Sequence, residues 1–373
     1  MPNRPSGDEE GEGPVAQAEE RDLARLMERD HLPALDGVRA AAVLLVMFSH
    51  SPLGRAPGDL GVSAFFVLSG FLITWLLLRE RADTGSISLR RFYARRTLRI
   101  FPAYYVFLLV SLVADTLLGT PWTLGLAAAA FLYAMNYYNA LLGHPSTSLA
   151  HCWSLAVEEQ FYLLWPWLFR ALAPRGPGTL AKWLAGLTVG VMTWRCVLYL
   201  GFGVPEAYAY NAFDTRFDNL AIGCLLAVGL GDARVRRVAS RLAASQLLPL
   251  ATLALLWISR ERISNAWHHG PGFTVDACLL AVLLAQLVQL THTPLWSWLE
   301  HPAVRYVGRI SYPMYLWHAW GLSAGRHATL LPPAARFALG VAITVAFASA
   351  SYAFVEKPFL RLKRRYELHR PGA

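Results

Sequence analysis

Long apolar runs, separated by short polar segments, extend from about residue 35 to residue 355. A run of about 20 apolar residues is typical of a transmembrane helix, because at 1.5 Å per residue it crosses the hydrocarbon core of a bilayer. The pattern predicts about ten spans, near residues 35–54, 60–79, 100–119, 151–170, 181–201, 214–231, 244–259, 273–291, 308–326 and 334–355. The predicted fold class is therefore all-α, a polytopic integral membrane helical bundle.

A further apolar stretch, residues 123–142, ends in a polar segment and is ambiguous on hydropathy alone. Basic residues mark cytoplasmic loops of membrane proteins. The basic clusters at 79–99, 170–182, 234–241 and 357–365 fall on one side only if 123–142 does not make a full crossing. Arg260 and Arg262 fall on the opposite side in this scheme. We predict ten spans with both termini in the cytoplasm.

Composition agrees with a membrane protein. Only 16% of the 373 residues are charged, whereas a soluble domain usually has about a quarter. The net charge of +9 does not indicate nucleic-acid binding, because the basic residues cluster at the ends of apolar runs. The cationic residues are almost all Arg rather than Lys, which suggests a GC-rich bacterial genome and hence the bacterial plasma membrane.

Three segments are predicted. Residues 1–31 are acidic, contain no apolar core of a signal peptide and indicate a mobile tail. Residues 32–359 form the membrane domain, and residues 360–373 form a basic cytoplasmic tail. No appended soluble domain is visible, so we expect any chemistry to occur within the membrane domain. The four Cys residues share no metal-ligand spacing, and no metal site is predicted.

The first span contains two ionisable residues, Arg39 and His50, eleven positions apart. Eleven residues of helix are about 16 Å long, so Arg39 can lie at the cytoplasmic face while His50 lies deep in the membrane. Ionisable groups within spans are costly and usually serve function, and His is suited to accept a proton near neutral pH. The alternative is an interfacial Arg and a His that merely ends the helix.

Further polar residues recur at the ends of later spans. Arg96 and Arg99 are three residues apart, so they share one helical face, where a pair of guanidinium groups suits phosphate oxygens; positive-inside topology is the alternative. Glu158 and Glu159 point about 100° apart, which predicts one towards the bundle interior and one towards the interface. His318 lies deep in the ninth span.

Together, these segments resemble the acyltransferase family 3 membrane proteins, which O-acylate sugars, polysaccharides and some antibiotics. The matching segments are 35–50, 61–70, 92–102, 153–166, 310–318 and 356–359. The order of six segments makes the resemblance specific, although each is short. The sequence departs from the family pattern at Ala40, Ala41, Pro313 and Ala319. The chain is similar to the stand-alone members, which carry no extracytoplasmic domain.

The resemblance implies roles for individual residues. Arg39 and His50 match the family's Arg-x10-His pair, of which His50 is the expected catalytic residue, and Glu158 and Glu159 match a further family motif. The expected catalytic set is His50, Arg39 and Glu158, and Arg39 is also expected to engage the CoA phosphates with Arg96 and Arg99. Arg96 and Arg99 match a motif that holds the acyl donor. The remaining candidates are Ser69 and Gly70 at the donor site, followed by Glu159, His318 and Trp153 without an assigned role.

The expected activity is O-acyl transfer from acyl-CoA, either acetyl-CoA or another short-chain acyl-CoA, with no permanently bound cofactor. His50 would deprotonate the acceptor hydroxyl or carry the acyl group transiently. The acceptor is expected to be a small natural product, such as a macrolide or its sugar, or a glycan. Other predicted contacts are with the lipid bilayer and not with nucleic acid, and the sequence sets no oligomeric state.

Two functions of other classes remain as alternatives. A transporter would place intramembrane charges along a path through the bilayer and often shows inverted repeats, and none is visible in the sequence. A non-catalytic membrane subunit that binds glycans or lipids would also need buried polar groups. Acyl transfer by the purified protein distinguishes the enzyme from both.

Overall fold

The computed structural model describes Leu23 and residues 32–51, 53 and 57–366, with only the backbone of Arg364. The rest of the predicted N-terminal tail and residues 367–373 of the predicted C-terminal tail lie outside the described residues. Within the described part, every regular element is helical and no strand is present. The predicted all-α class is therefore confirmed.

The helices follow one another with short connections. They are α1 (Pro33–Ser49), α2 (Gly58–Thr84), α3 (Leu89–Leu117), α4 (Leu124–Phe131), α5 (Met135–Leu142), α6 (Trp153–Leu172), α7 (Pro177–Cys196), α8 (Glu206–Asn211), α9 (Asp218–Gly229), α10 (Ala233–Leu242), α11 (Leu248–Glu261), α12 (Phe273–Leu290), α13 (Pro302–Arg309), α14 (Ser311–His327), α15 (Pro333–Ser351) and α16 (Lys357–Lys363). A turn of π-helix extends α7 to Gly201, and another joins α15 to α16.

Five helical segments of the described chain are long and apolar enough to cross a bilayer. They are Gly58–Thr84, Leu89–Leu117, Pro177–Gly201, Asn265–Leu290 and Pro333–Lys363. The other five predicted spans coincide with α1, α6, α9, α11 and α14, which have between 12 and 20 residues. Each predicted span thus corresponds to a helix, and the count of ten crossings stays a prediction.

The ambiguous stretch 123–142 forms two helices of eight residues each, α4 and α5, rather than one span. At 1.5 Å per residue, each is about 12 Å long, too short to cross a bilayer. The break between them contains Tyr133, which has a φ of 52°. The side chain of Gln160 supplies hydrogen bonds at this break. Its Nε2 donates to the Tyr133 carbonyl at 2.9 Å and to Asn136 Oδ1 at 3.0 Å. Irregular backbone at membrane depth is tolerated where the protein buries and satisfies it in this way.

The two short helices return to the end of α3 from which the chain left. Asp115 lies in the last turn of α3, and its Oδ2 accepts a hydrogen bond from the Ser148 hydroxyl at 3.0 Å. Tyr104, three turns earlier in α3, donates to the carbonyl of Ala130 at the end of α4, at 2.8 Å. The segment therefore runs beside α3, and Ser148 after it lies at the last turn of that helix. That the segment makes no full crossing stays a prediction.

Helix α2 packs closely against α9. A Cβ atom on Gly70 would lie 2.0 Å from the carbonyl oxygen of Leu220, and one on Gly223 would lie 2.1 Å from that of Val67. Such close approach requires glycine on both helices. The crossing fixes α2 in the centre of the bundle, where it contributes to both cavities described below.

Candidate functional site

A cavity of about 350 Å³ opens where α1 ends. We call it the His50 cavity. The residues that line it are Val46, Ser49, His50, Gly58, Asp59, Val62, His144, Thr147, Ala150, His151, Trp153, Tyr210, Tyr315, His318, Ala319, Leu322 and Arg326. Its lining thus gathers four of the chain's eleven histidines from distant parts of the sequence.

His50 directly follows the last residue of α1, so it ends the helix rather than lying inside it. Its side chain is exposed, and its Nδ1 lies 2.8 Å from the carbonyl oxygen of Val46. A carbonyl only accepts hydrogen bonds, so the proton of the neutral ring lies on Nδ1 and Nε2 keeps its lone pair. The tautomer set by this contact is the one that a general base or a nucleophile requires.

Two further histidines extend the cluster, because His318 lies against His50 and His151 lies against His318. The ring centroids of His50 and His318 are 5.3 Å apart, and those of His318 and His151 are 4.6 Å apart. The Nδ1 of His318 lies 2.6 Å from the Tyr315 carbonyl, which likewise leaves Nε2 unprotonated in the neutral ring. The Nε2 of His151 is buried and has no hydrogen-bond partner among the described residues.

A smaller cavity of about 100 Å³ lies beside Arg39 in the N-terminal half of α1, and we call it the arginine cavity. The residues that line it are Arg39, Val62, Phe65, Phe66, Ser69, Leu72, Arg96, Arg99, Ile100, Ser154, Leu155, Glu158, Glu159, Tyr162, Ser311, Tyr312 and Tyr315. It brings together the basic pair of α3 and the acidic pair of α6, which the sequence analysis selected separately.

Arg96 and Arg99 are half-buried, and the carboxylates of Glu158 and Glu159 line the same cavity. The guanidinium of Arg96 lies 3.5 Å above the ring of Tyr162, and its buried Nε has no hydrogen-bond partner in the described chain. Arg99 forms no salt bridge with any described residue. Arg96 interacts electrostatically with Glu158 and Glu159, and Arg99 with Glu356. Neither arginine is held in a direct salt bridge with a described residue, so both guanidinium groups keep N–H donors for an anionic ligand.

Glu158 is held in place by two hydroxyl groups. Ser69 donates to its Oε1 at 2.9 Å, and Tyr162 donates to its Oε2 at 3.0 Å. Glu159 lines the same cavity. The expectation that one of the two carboxylates faces the interface is therefore wrong, because a cavity this close to α6 receives side chains that diverge by 100°.

Arg39 lines the arginine cavity from α1. Its Nη1 donates to Asp36 Oδ1, one turn earlier, at 3.3 Å. The rise of the helix places Arg39 about 16 Å from His50. The two residues of the predicted pair thus belong to different cavities and do not contact each other.

Val62 and Tyr315 line both cavities and separate them. The hydroxyl of Tyr315 is hydrogen-bonded to that of Ser154 at 2.6 Å and donates to the His151 carbonyl at 3.2 Å. The two cavities thus adjoin at these two side chains, and polar contacts hold Tyr315 in place.

Gly70 and Trp153 take up packing positions. Gly70 faces α9 and lines neither cavity, so the structure gives it a packing contact rather than a place beside the donor. Trp153 is buried, lines the His50 cavity and lies 4.7 Å from the ring of Tyr210. In the described chain, no group of three or more His, Cys, Asp or Glu is arranged to hold a metal ion.

Sequence reasoning missed His151, Tyr315, Asp59 and Tyr210 as cavity residues. His151 precedes the motif around Trp153 by two positions, and Tyr315 precedes His318 by three. A titratable residue near an assigned motif was the available signal for both. Asp59 and Tyr210 carried no local signal, because only the packing of α2 and α8 brings them to His50.

Comparison with known proteins gives one family. Residues 32–353 match the family model described as an acyltransferase domain. The chain is 31% identical over 349 residues to the peptidoglycan O-acetyltransferase OatA of Listeria monocytogenes, an alignment that covers 88% of this chain and 56% of that protein. It is 32% identical over 368 residues to the putative peptidoglycan O-acetyltransferase YrhL of Bacillus subtilis, with 91% and 57% covered.

A putative O-acetyltransferase of Staphylococcus aureus is 30% identical over 357 residues, with 88% of this chain and 57% of that protein covered. The chain thus spans somewhat more than half the length of these curated relatives. No solved structure matches it.

Proposed function

The chain belongs to the acyltransferase family whose model it matches over residues 32–353, and we propose that it moves an acyl group from acyl-CoA to a glycan hydroxyl. It is a multi-pass bacterial membrane protein. Family membership favours acyl transfer over the transporter and the non-catalytic subunit. The observation that carries the proposal is the pairing of two adjoining cavities, one with the guanidinium groups of Arg96 and Arg99 and the other with an available imidazole nitrogen.

The arginine cavity is the proposed donor site. CoA carries phosphate groups, and guanidinium groups bind phosphate oxygens through paired, charge-assisted hydrogen bonds. Arg96 and Arg99 form no direct salt bridge with a described residue and so suit this role, and Arg39 lines the same cavity from α1. The thioester would then reach the partition formed by Val62 and Tyr315.

The His50 cavity is the proposed acceptor site. The acceptor hydroxyl transfers its proton to His50 Nε2, its oxygen attacks the thioester carbonyl, and the C–S bond breaks. The CoA thiolate leaves as the thiol with the proton that His50 had accepted, which restores the neutral ring. A base in this position contributes roughly 10²–10⁴-fold to the rate. The Val46 carbonyl keeps the ring in the tautomer that accepts the proton.

The two cavities fit a transfer across the membrane. We place the loop at 79–99 and the termini in the cytoplasm, with ten crossings, because the basic clusters follow this arrangement. Arg96 and Arg99 then face the cytoplasm, where CoA occurs, and the His50 cavity opens towards the outside. The names of two relatives specify peptidoglycan, which supports a glycan acceptor on that side.

The test is acyl transfer by the purified protein in detergent or nanodiscs. Radiolabelled acetyl-CoA is supplied with soluble glycan fragments, a macrolide and buffer alone, and covalent products are separated and counted. We expect label in the glycan fragments. Label in the macrolide alone would show that the acceptor is a macrolide rather than a glycan. The absence of His50-dependent label in any product would refute the proposal.

A further inference from the structure

One face of α14 forms a wall of the His50 cavity. The lining residues on this helix are Tyr315, His318, Ala319, Leu322 and Arg326. Steps of three and four residues connect them, so they share one stripe of the helix. The stripe begins at Tyr315, which also lines the arginine cavity, and ends at Arg326 in the last turn of α14. At 1.5 Å per residue, Arg326 therefore lies about 16 Å along the helix from the boundary with the donor site.

Arg326 is free to bind a ligand. Its side chain is exposed, and it forms no hydrogen bond, salt bridge or cation–π contact with any described residue. It interacts electrostatically with His318, about two turns earlier, which agrees with the tendency of helical side chains to lean towards the N-terminus of their helix. All of its N–H donors are thus available beside the histidine cluster.

The rest of the described lining has no carboxylate left to pair with this cation. Asp59 lines the His50 cavity, but it already forms a salt bridge with Arg260. His268 Nε2 lies 3.4 Å from the same carboxylate. The four histidines of the lining are neutral or positive in either protonation state, so none of them offsets Arg326. Among the described lining residues, the cavity therefore offers a free cation and no free anion.

The position of Arg326 also runs against the positive-inside rule. In the topology proposed above, the His50 cavity opens to the outside, where basic residues are less frequent than in cytoplasmic loops. Two other arginines on that side have partners within the protein. Arg260 forms the salt bridge with Asp59, and Arg262 makes a cation–π contact at 5.0 Å. Arg326 has no such partner in the described chain, which favours a ligand as the reason for its charge.

We propose that Arg326 binds an acidic group, a carboxylate or a phosphate, on the acceptor glycan whose hydroxyl faces His50. Guanidinium groups bind both kinds of anion through paired, charge-assisted hydrogen bonds. The acceptor is then an acidic glycan, held by its charge while its hydroxyl reaches the imidazole. This inference rests on the proposed glycan acyl transfer and adds to it the charge of the acceptor.

The experiment compares glucuronic acid with glucuronamide, which share their hydroxyl groups and differ in that a carboxylate is replaced by an uncharged amide. Dissociation constants are measured without a donor, for the purified protein in phosphatidylcholine nanodiscs. We expect the acid to bind about fivefold to tenfold more tightly than the amide, the lower range for a charge-assisted contact because the arginine is exposed. Arg326→Ala should remove this preference, and Arg326→Lys should keep part of it.

Arg262→Ala provides the matched control, because it removes the same charge from an exposed arginine that lines neither the His50 cavity nor the arginine cavity. It should keep the full preference for the acid. Equal binding of the two sugars by the unaltered protein, or binding of neither, would overturn the anion site.

Two results with Arg326→Ala would also overturn it. One is a preference for the acid that persists without the arginine. The other is an equal loss of binding for acid and amide, since the arginine would then hold a lipid phosphate or stabilise the end of α14. Acyl transfer is measured separately, so a failure of transfer to glycans would refute the proposed function, while the anion site is decided by the binding preference.

Discussion

The Nδ1 atom of His50 lies 2.8 Å from the carbonyl oxygen of Val46, one helical turn earlier. The contact orients the ring and directs Nε2 away from the helix that carries it. We predict that His50→Ala lowers the rate of acyl transfer by roughly 10²–10⁴-fold, the usual contribution of a general base. Because His50 is exposed at a helix end, the melting temperature and membrane abundance should stay close to those of the unaltered protein.

His327 provides the matched control. Its Nδ1 lies 2.8 Å from the Ser323 carbonyl, the same contact one turn back, but it does not line the His50 cavity. His327→Ala should therefore retain the rate. If His50→Ala kept more than about a tenth of the wild-type rate, His50 would not be the base.

The neighbouring His318 gives a second prediction. His318→Asn keeps a donor near the Tyr315 carbonyl, which preserves the local fold, but removes the Nε2 lone pair from the histidine cluster. We expect kcat to fall by at least about tenfold with little change in the KM for acyl-CoA, since proton movement beside His50 is disturbed and the arginine cavity is not. Steady-state kinetics for both substrates measure the two effects separately. An unchanged kcat would show that His318 contributes to packing and not to proton transfer.

The third prediction tests the role of Gly70. Gly70→Ala should destabilise the protein by roughly 1–3 kcal/mol, because its Cβ would overlap the Leu220 carbonyl. Gly186→Ala in α7 is the control, since nothing lies within 4 Å of a Cβ there. Thermal unfolding in detergent compares the two. A fully stable Gly70→Ala protein with a raised KM for acyl-CoA would restore the donor role that the resemblance implied.

The helices were predictable because each predicted span is an apolar run in the sequence, and each of these runs coincides with a helix. The path of residues 123–142 was not, because it depends on contacts between distant residues. Gln160 caps the break at Tyr133, and Asp115 anchors Ser148. From the sequence, only the loop charges hinted at the result.

The site was predictable in parts but not as an assembly. His50 and Arg96 stand out because ionisable groups near apolar runs are unusual. That Arg39 and His50 belong to separate cavities depends on Val62 and Tyr315, which close the space between them. Nothing in the sequence around Val62 or Tyr315 indicates this role, because apolar residues and tyrosines are common in membrane spans.

Topology makes the fourth prediction. In a background with Cys196 and Cys278 replaced by Ser, a cysteine at Ser88 or Arg364 should react with an impermeant thiol reagent only from the cytoplasm. A cysteine at Ser146 should react only from outside, because α4 and α5 turn back beside α3. Labelling of intact cells and of inverted vesicles measures both. Cytoplasmic labelling at position 146 would overturn the arrangement of ten spans.

The last prediction concerns the donor. If Arg96 and Arg99 hold CoA phosphates, Ala at either position should raise the KM for acyl-CoA far more than the KM for the acceptor. Charge-assisted hydrogen bonds contribute roughly 1.5–3 kcal/mol, which corresponds to about a 10- to 150-fold change. Lys should rescue only in part, since a point charge does not reproduce the planar fork of a guanidinium.

Arg90→Ala removes the same charge from an exposed position of the same helix, outside the arginine cavity, and should leave both constants unchanged. If the basic residues act only as topology signals, Lys restores function fully and Arg90→Ala is as harmful as the other two, because orientation responds to positive charge of either type. Measuring all these variants with membrane levels quantified distinguishes the outcomes, and full rescue by Lys at both positions would remove the main physical reason for a CoA donor.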